Sequence, residues 1–209
     1  MLPAPPVLLI TDRHQAAQPL PELAERAFAA GLRWLSLRDK GLPDAERAAL
    51  ARTLVARARP WDATVTVHGD PELARAAGAA GVHLPDGGDA TAVRALLGPR
   101  ALIGVSAHDG AGLARAAAQG ADYATLSPVF PSPSKPGYGP PLGLDGFARL
   151  AANAPLPVLA LGGIDAGNAA AVRGAGAAGV AVMGALLRAD TAEATARLLA
   201  AFTAADFTP

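Results

Sequence analysis

A histidine, a glycine and an aspartate follow one apolar run of the sequence without a break. His68, Gly69 and Asp70 come directly after residues 63–67, and a helix-like segment begins at Pro71. Histidine titrates near neutral pH, so it can accept and donate a proton under physiological conditions. Residues of these three types also end strands and cap helices. The stretch therefore predicts either part of a catalytic site or a helix cap.

Other apolar runs are also followed by polar residues that could bind an anion. Arg38 and Lys40 alternate at the end of one run, and paired cations suit a phosphate or a pyrophosphate. The segment 128–142 is dense in proline, glycine and serine, and long loops of this kind are often functional. We expect a lid there that offers hydroxyl donors and a cation, namely Ser132, Ser134 and Lys135. Arg38 and Lys40 could instead be a solvated surface pair, and the segment 128–142 could be a passive connection.

Two glycine-containing turns are candidates for phosphate binding. Gly162 and Gly163 open a helix-like segment, and Met183 and Gly184 close a later apolar run. Glycines let a phosphate approach the backbone, and a helix N-terminus offers N–H donors to it. We expect a phosphate between the two turns, although the glycines could serve only to turn the chain.

The elements that must position these residues follow from the apolar runs. Alanine- and leucine-rich segments of helical periodicity separate the runs, and continuous apolar strands are typical of a parallel sheet covered on both faces. The expected strands are residues 7–11, 32–37, 63–67, 81–84, 101–106, 122–127, 157–162 and 179–184. Eight strand–helix units in 209 residues predict a single (β/α)₈ TIM barrel, with one domain over residues 1–209. In such barrels the site lies at the C-terminal ends of the strands, where all these polar residues fall.

Composition excludes several classes of function. Lysine and arginine balance aspartate and glutamate at 18 each, so neither nucleic acid nor a membrane is an expected partner. The chain has no cysteine, which excludes disulfides and thiolate metal sites, and its histidines lack the spacing of a zinc site. The N-terminus does not have the pattern of a signal peptide. We expect a cytoplasmic enzyme for a small molecule, and a homo-oligomer is compatible with the sequence.

Four stretches resemble the thiamine phosphate synthases and their relatives, the thiazole tautomerases. They read SLRDKG, HGDPELARAAGAAGVHLPDG, IGVSAHDGAGLARAAAQGADYATLSPVFPSPSKPG and LPVLALGGIDAGNAAAVRGAGAAGVAVMGALLRA. Together they cover nearly the whole chain. The resemblance implies a TIM barrel that holds a thiazole phosphate at Gly162, Gly163, Met183 and Gly184.

The sequence departs from the synthase pattern at three places. The synthase has Gln-x-Arg-x-Lys on its second strand, with the glutamine on the pyrimidine, and Ser36 stands in that position here. After the third strand it has Asn-Asp, which meet pyrophosphate and Mg²⁺, where this chain has His68 and Gly69. A second magnesium carboxylate corresponds to Gly88. Losing both carboxylates would impair metal-assisted departure of pyrophosphate.

These departures favour a metal-independent thiazole tautomerase, an isomerase that needs no cofactor. His68 would then move the proton, in place of the tautomerase loop histidine, while Ser106 and Pro128 remain synthase-like. The first alternative is a thiamine phosphate synthase, a transferase that joins hydroxymethylpyrimidine diphosphate to thiazole phosphate. Its Mg²⁺ would be held by other rim carboxylates, namely Asp70, Asp86 or Asp89. The second alternative is a non-catalytic phosphate-ligand binder.

Overall fold

Eight parallel strands close a barrel in chain order in the computed structural model, which describes residues 1–39, 41–132, 140–188 and 190–204. The strands are β1 (Val7–Ile10), β2 (Trp34–Leu37), β3 (Thr64–His68), β4 (Gly81–Leu84), β5 (Leu102–Ala107), β6 (Tyr123–Leu126), β7 (Val158–Leu161) and β8 (Gly179–Val182). β1 pairs with both β2 and β8, so the sheet has no free edge. The predicted (β/α)₈ TIM barrel is confirmed, and every expected strand overlaps an observed one.

Helices follow the strands and cover the outside of the barrel. They are α1 (Leu20–Ala29), α2 (Asp44–Ala58), α3 (Pro71–Ala77), α4 (Ala90–Leu97), α5 (Gly110–Ala118), α6 (Gly143–Ala151), α7 (Ala169–Gly174), α8 (Gly184–Leu187) and α9 (Thr191–Thr203). In the described part of the chain, no helix has the length and apolar character needed to cross a membrane.

The strands present two different faces because successive side chains point to opposite sides. Val7 and Leu9 belong to the large apolar layer beneath the helices, whereas Leu8 and Ile10 belong to a second cluster inside the barrel. Trp34 and Tyr123 are the large rings of that inner cluster, and they meet edge to face with 4.8 Å between ring centroids. The barrel interior is therefore a packed core rather than a pore.

Two glycines allow close packing inside the barrel, Gly104 against the Tyr123 ring and Gly81 against the backbone of the next strand. Gly104 pairs in register with Tyr123, and a Cβ atom at residue 104 would lie 2.5 Å from the ring carbon Cε1. A Cβ at Gly81 would lie 2.6 Å from the backbone carbon of Leu102. Real Cβ atoms do not approach other heavy atoms this closely, so neither position accepts a side chain without a shift of the strands.

Replacing Gly104 with alanine should therefore destabilise the barrel. We expect Gly104→Ala to lower the free energy of unfolding by about 3 kcal/mol or more, because the added methyl overlaps a fully buried ring. Gly174 at the end of α7 is the control, since a Cβ there would meet nothing within 4 Å. Gly174→Ala should be neutral or stabilise by up to about 1 kcal/mol. Denaturant unfolding measures both, and equal effects would contradict this account of the interior.

Candidate functional site

His83 lies at the centre of a polar group inside the barrel, below the C-terminal rim. Its Nδ1 atom is 3.0 Å from the hydroxyl of Tyr123, and its Nε2 atom is 3.0 Å from the hydroxyl of Ser106. Thr125 adds a longer contact of 3.4 Å to Nε2. β4, β5 and β6 are neighbours in the sheet, so their inward residues meet at this point.

Burial keeps His83 uncharged. Loss of solvent, followed by the influence of His68, lowers the pKa of His83 to about 3. A neutral imidazole has one N–H, so one ring nitrogen donates a hydrogen bond and the other accepts one. Burial, with the charge of Asp122 in addition, raises the pKa of Tyr123 well above its ordinary value. The floor of the site is therefore polar but carries no charge at neutral pH.

His68 is the last residue of β3 and lies directly above this floor. Its ring is half-buried, and its centroid is 5.1 Å from that of His83, to which it is tilted by 33°. The two residues are register partners on neighbouring strands, and the backbone N–H of Gly69 donates to the carbonyl of His83 over 2.8 Å. The strand ends one residue later than predicted, which places His68 at the rim itself.

Arg38 follows β2 and is fixed through its backbone. Its N–H donates to the hydroxyl of Thr11 over 2.9 Å, and the same hydroxyl donates to its carbonyl over 3.3 Å. Asp12 lies close to it. Burial acts to raise the pKa of Asp12, but hydrogen bonds from Gln15 and from the N–H of His14, with the charge of Arg38, lower the pKa overall. Asp12 is thus an anion held by neighbours at the β1 end of the rim.

The glycine pair after β7 is covered by the loop that follows β6. Gly162 and Gly163 have φ values of +102° and +64°, which favour glycine. Phe130 donates its N–H to the carbonyl of Gly162 over 3.0 Å. A Cβ at Gly162 would lie 2.9 Å from the Cα of Pro128, and one at Gly163 would lie 2.6 Å from the carbonyl oxygen of Pro131. The glycines therefore admit the loop backbone at close approach.

The expectation that a helix opens at this glycine pair is wrong, because α7 begins at Ala169. Asp165 and Asn168 bind the intervening backbone instead. The Asp165 carboxylate accepts from the N–H of Gly167 over 2.8 Å, and the Asn168 amide donates to the carbonyl of Gly163 over 2.8 Å. Such side-chain bonds compete with helical ones, so a turn replaces the first helical residues.

The turn after β8 carries a residue that sequence reasoning missed. Met183 precedes α8, which begins at Gly184, and the guanidinium of Arg188 lies over that glycine. Gln15, from the loop after β1, donates to the sulfur of Met183 over 3.2 Å and accepts a hydrogen bond from Arg188. The sequence signal that could have found Arg188 is its position four residues after Gly184, since residues four apart on a helix are neighbours.

The structure describes two of the other anticipated site residues and leaves three outside its described ranges. Ser106 lies at the polar floor with His83, and Ser132 is half-buried in the loop after β6. Lys40, Ser134 and Lys135 lie outside the described residues.

The carboxylates anticipated as magnesium ligands each have a partner within the protein. Asp70 accepts from the N–H of Leu73 and pairs with Arg47, and Asp89 accepts from the N–H of Ala92. Asp86 pairs with Arg115 instead. No group of three or more histidine and carboxylate side chains converges on one point in the described ranges.

The two positions where the resemblance places magnesium carboxylates also have backbones suited to glycine. Gly69 has a φ of +76°, a value that L side chains rarely adopt. A Cβ at Gly88 would lie 2.7 Å from the Cβ of Leu84. The residues present therefore do not fit a protein-bound Mg²⁺.

Comparison with known proteins identifies the family. Residues 7–186 match the model of the family described as thiamine monophosphate synthase. This chain belongs to the thiamine monophosphate synthase family. A "Putative thiamine-phosphate synthase" of Geobacter sulfurreducens is 44% identical over 195 residues, which cover 92% of each protein. A "Thiamine-phosphate synthase" of Chromobacterium violaceum is 46% identical over 182 residues, covering 85% of this chain and 86% of the relative. The solved thiamine phosphate pyrophosphorylase of Pyrococcus furiosus superposes with a TM-score of 0.84, at 29% identity over 94% of each chain.

The thiazole tautomerase favoured by the sequence is therefore wrong, and with it the role of His68 as the acid or base of an isomerase. The names of the relatives just given are those of synthases, which supports the transferase alternative. The departures at Ser36, Gly69 and Gly88 lie inside a sequence that otherwise matches named synthases of this family. Single positions of this kind do not assign the reaction.

Mg²⁺ alone should not bind this family member, because the two glycines leave no pair of carboxylates for it. We expect calorimetric titration with Mg²⁺, in the absence of diphosphate, to give no saturable heat. Addition of Mg²⁺ should likewise leave the unfolding temperature unchanged, since a ligand that does not bind cannot stabilise the fold. Saturable binding that disappears in Asp70→Asn or Asp89→Asn would contradict the assignment of those carboxylates as caps.

His83 should make stability depend on pH. Its folded pKa lies below the unfolded value of about 6.5, so the unfolded chain binds more protons below that pH. The stabilising contribution is complete above pH ~6.5 and is lost as the pH falls toward about 3, at up to ~1.4 kcal/mol per pH unit. We expect His83→Gln to show a shallower loss of unfolding free energy over this range. His14→Gln, at an exposed histidine, should keep the wild-type slope, and identical slopes in all three proteins would refute the assignment.

Proposed function

We propose that this chain is a thiamine-phosphate synthase. It would join hydroxymethylpyrimidine diphosphate to thiazole phosphate and release pyrophosphate. The observation that carries the proposal is the match to named synthases, at 44% identity over 92% of both chains in one case. The polar rim supports it, because it offers separate places for a phosphate and for a pyrophosphate.

The thiazole phosphate is assigned to the turns after β7 and β8. Leu161 and Ala181 are register partners, so the Gly162–Gly163 and Met183–Gly184 turns lie side by side at the rim. Positive φ values at the glycine pair turn the backbone tightly there, and such turns can present N–H groups to an anion. The loop that covers these glycines would lie against the bound substrate.

The pyrophosphate is assigned to the side of the rim formed by β2 and β3. The guanidinium of Arg38 forms no ion pair with a carboxylate among the described residues, although its charge helps to lower the pKa of Asp12, and Thr11 fixes its backbone. His68 stands where the family places the asparagine that meets pyrophosphate, and its ring lies 5.1 Å from that of His83. Lys40, Ser132, Ser134 and Lys135 are further proposed contacts.

The pyrimidine is assigned to the polar floor. Ser36 stands where the family places its pyrimidine-binding glutamine, and its hydroxyl is buried without a hydrogen-bond partner in the part of the chain that the structure describes. Ser106 on β5 and neutral His83 on β4 supply the rest of this polar surface. A buried hydroxyl without a partner is costly, so a heteroaromatic ring that bonds to it would be favoured.

The reaction exchanges one bond for another at the pyrimidine methylene carbon. The carbon–oxygen bond to pyrophosphate breaks, its electron pair leaves with the oxygen, and the thiazole nitrogen forms the new carbon–nitrogen bond. Negative charge therefore grows on the departing pyrophosphate. A guanidinium positioned beforehand stabilises such charge more in the transition state than in the ground state. Arg38 has this role in our proposal.

Removing this charge should slow the transfer. We expect Arg38→Gln to lower kcat/KM for thiamine phosphate formation by about 10²-fold, the scale of one lost electrostatic contact to a developing anion. Arg52→Gln, at an exposed site on α2, is the matched control and should act as wild type.

The product assay also tests the function itself. Wild-type protein that forms no thiamine phosphate from the two substrates, with Mg²⁺ and with EDTA alike, would exclude the transferase. Normal turnover by Arg38→Gln, in an active wild-type background, would remove Arg38 from the site while leaving the function intact.

A further inference from the structure

Arg188 directly follows α8 as its C-cap residue, and its guanidinium covers the turn after β8. A Cβ atom on Gly184 would lie 2.6 Å from the Nη1 atom of Arg188 and nearer still to its Nη2 and Cζ atoms. The planar fork therefore lies directly against the residue that begins the helix. The side chain is nevertheless exposed to solvent, so a ligand at the rim can reach it.

The loop after β1 fixes this position. The amide oxygen of Gln15 accepts from the Nη1 of Arg188, while the amide nitrogen donates to the carboxylate of Asp12 over 2.8 Å. The N–H of Ala17 donates to the carbonyl of Leu187 over 2.9 Å, which ties the same loop to α8. An exposed arginine normally samples many rotamers, and these contacts restrict it to one side of Gly184.

The charge of Arg188 has no carboxylate partner within the described residues. Two other arginines of the rim do have one, since Arg13 pairs with Asp39 and Arg115 pairs with Asp86. Gln15 is neutral, so the bond to it positions the guanidinium without cancelling its charge. A cation held in this way is suited to an anionic ligand, and a planar fork matches two phosphate oxygens.

We propose that Arg188 is a phosphate-binding residue for the thiazole phosphate, and that Gly184 is a glycine so that the guanidinium can lie over it. The inference rests on the proposed function for the identity of the ligand. The family resemblance assigns the backbone of the glycine turns to the phosphate, and Arg188 adds a side-chain charge to that site.

Binding measurements on four proteins test this proposal. Calorimetry with thiazole phosphate, and with the corresponding alcohol without phosphate, would be performed on wild type, Arg188→Gln, Arg188→Lys and Arg197→Gln. We expect Arg188→Gln to weaken thiazole phosphate binding by about tenfold and to leave the alcohol unaffected. The affinity of Arg188→Lys for thiazole phosphate should lie between those of wild type and Arg188→Gln, because lysine keeps the charge and loses the planar fork. Arg197→Gln, on the exposed face of α9, is the matched control and should bind like wild type.

Salt and a second substitution sharpen the test. The difference between wild type and Arg188→Gln should shrink as ionic strength rises, because the contact is exposed. Gly184→Ala should also weaken thiazole phosphate binding several-fold, because its methyl group displaces the guanidinium. In the Arg188→Gln background the same substitution should cause little further loss of affinity. Equal costs of Gly184→Ala in both backgrounds would overturn the link between the two residues.

The failure of this inference and the failure of the proposed function give different results. If wild type prefers thiazole phosphate over the alcohol and Arg188→Gln keeps that preference within twofold, the proposal for Arg188 is overturned and the function stands. If wild type binds neither compound, the ligand assignment fails, and with it the proposed function.

Discussion

The ring of Tyr123 can lie inside the barrel only because Gly104, its register partner on β5, has no side chain. The polar part of the interior depends on this placement. The phenol hydroxyl meets one nitrogen of His83, and the other nitrogen meets Ser106 nearer the rim. A larger residue at position 104 would move the ring and leave a buried imidazole nitrogen without its partner, at a cost of about 1–3 kcal/mol for the unmade hydrogen bond.

This arrangement separates neutral polar groups from charges. His83 is fully buried and its pKa lies far below the physiological range, so it offers hydrogen bonds and no charge. Charged groups follow the strand ends, since Arg38 comes after β2 and Arg188 after α8, and β2 and β8 are the two neighbours of β1 in the sheet. A substrate that combines an aromatic ring with phosphate groups fits this separation of uncharged and charged groups, because burying the ring does not require burying the phosphates.

The sequence predicts the barrel well because continuous apolar runs leave few alternatives. β4 has the predicted limits, and β3 differs by a residue at each end, through Thr64 and His68. Prediction fails where a side chain takes over a backbone bond, as Asp165 and Asn168 do in delaying α7. It also fails for contacts between distant segments. The position of Arg188 depends on Gln15, which is 173 residues away in the chain, and no local pattern links the two.

The aspartates of the rim show why a motif shifted by one residue does not keep its role. Asp70, Asp89 and Asp109 each accept a hydrogen bond from the N–H three residues later, and each begins a helix in this way. That bond holds the carboxylate at the helix end, so Asp89 would have to give up its cap to replace the family carboxylate expected at Gly88. The loop could not shift to compensate without moving Leu84, whose Cβ occupies the space beside that glycine. Sequence similarity therefore establishes the family and the fold, whereas the balance of charge at the site depends on these individual positions. In this chain these three carboxylates stabilise helix ends, and in our proposal it is arginine side chains that meet the phosphate groups.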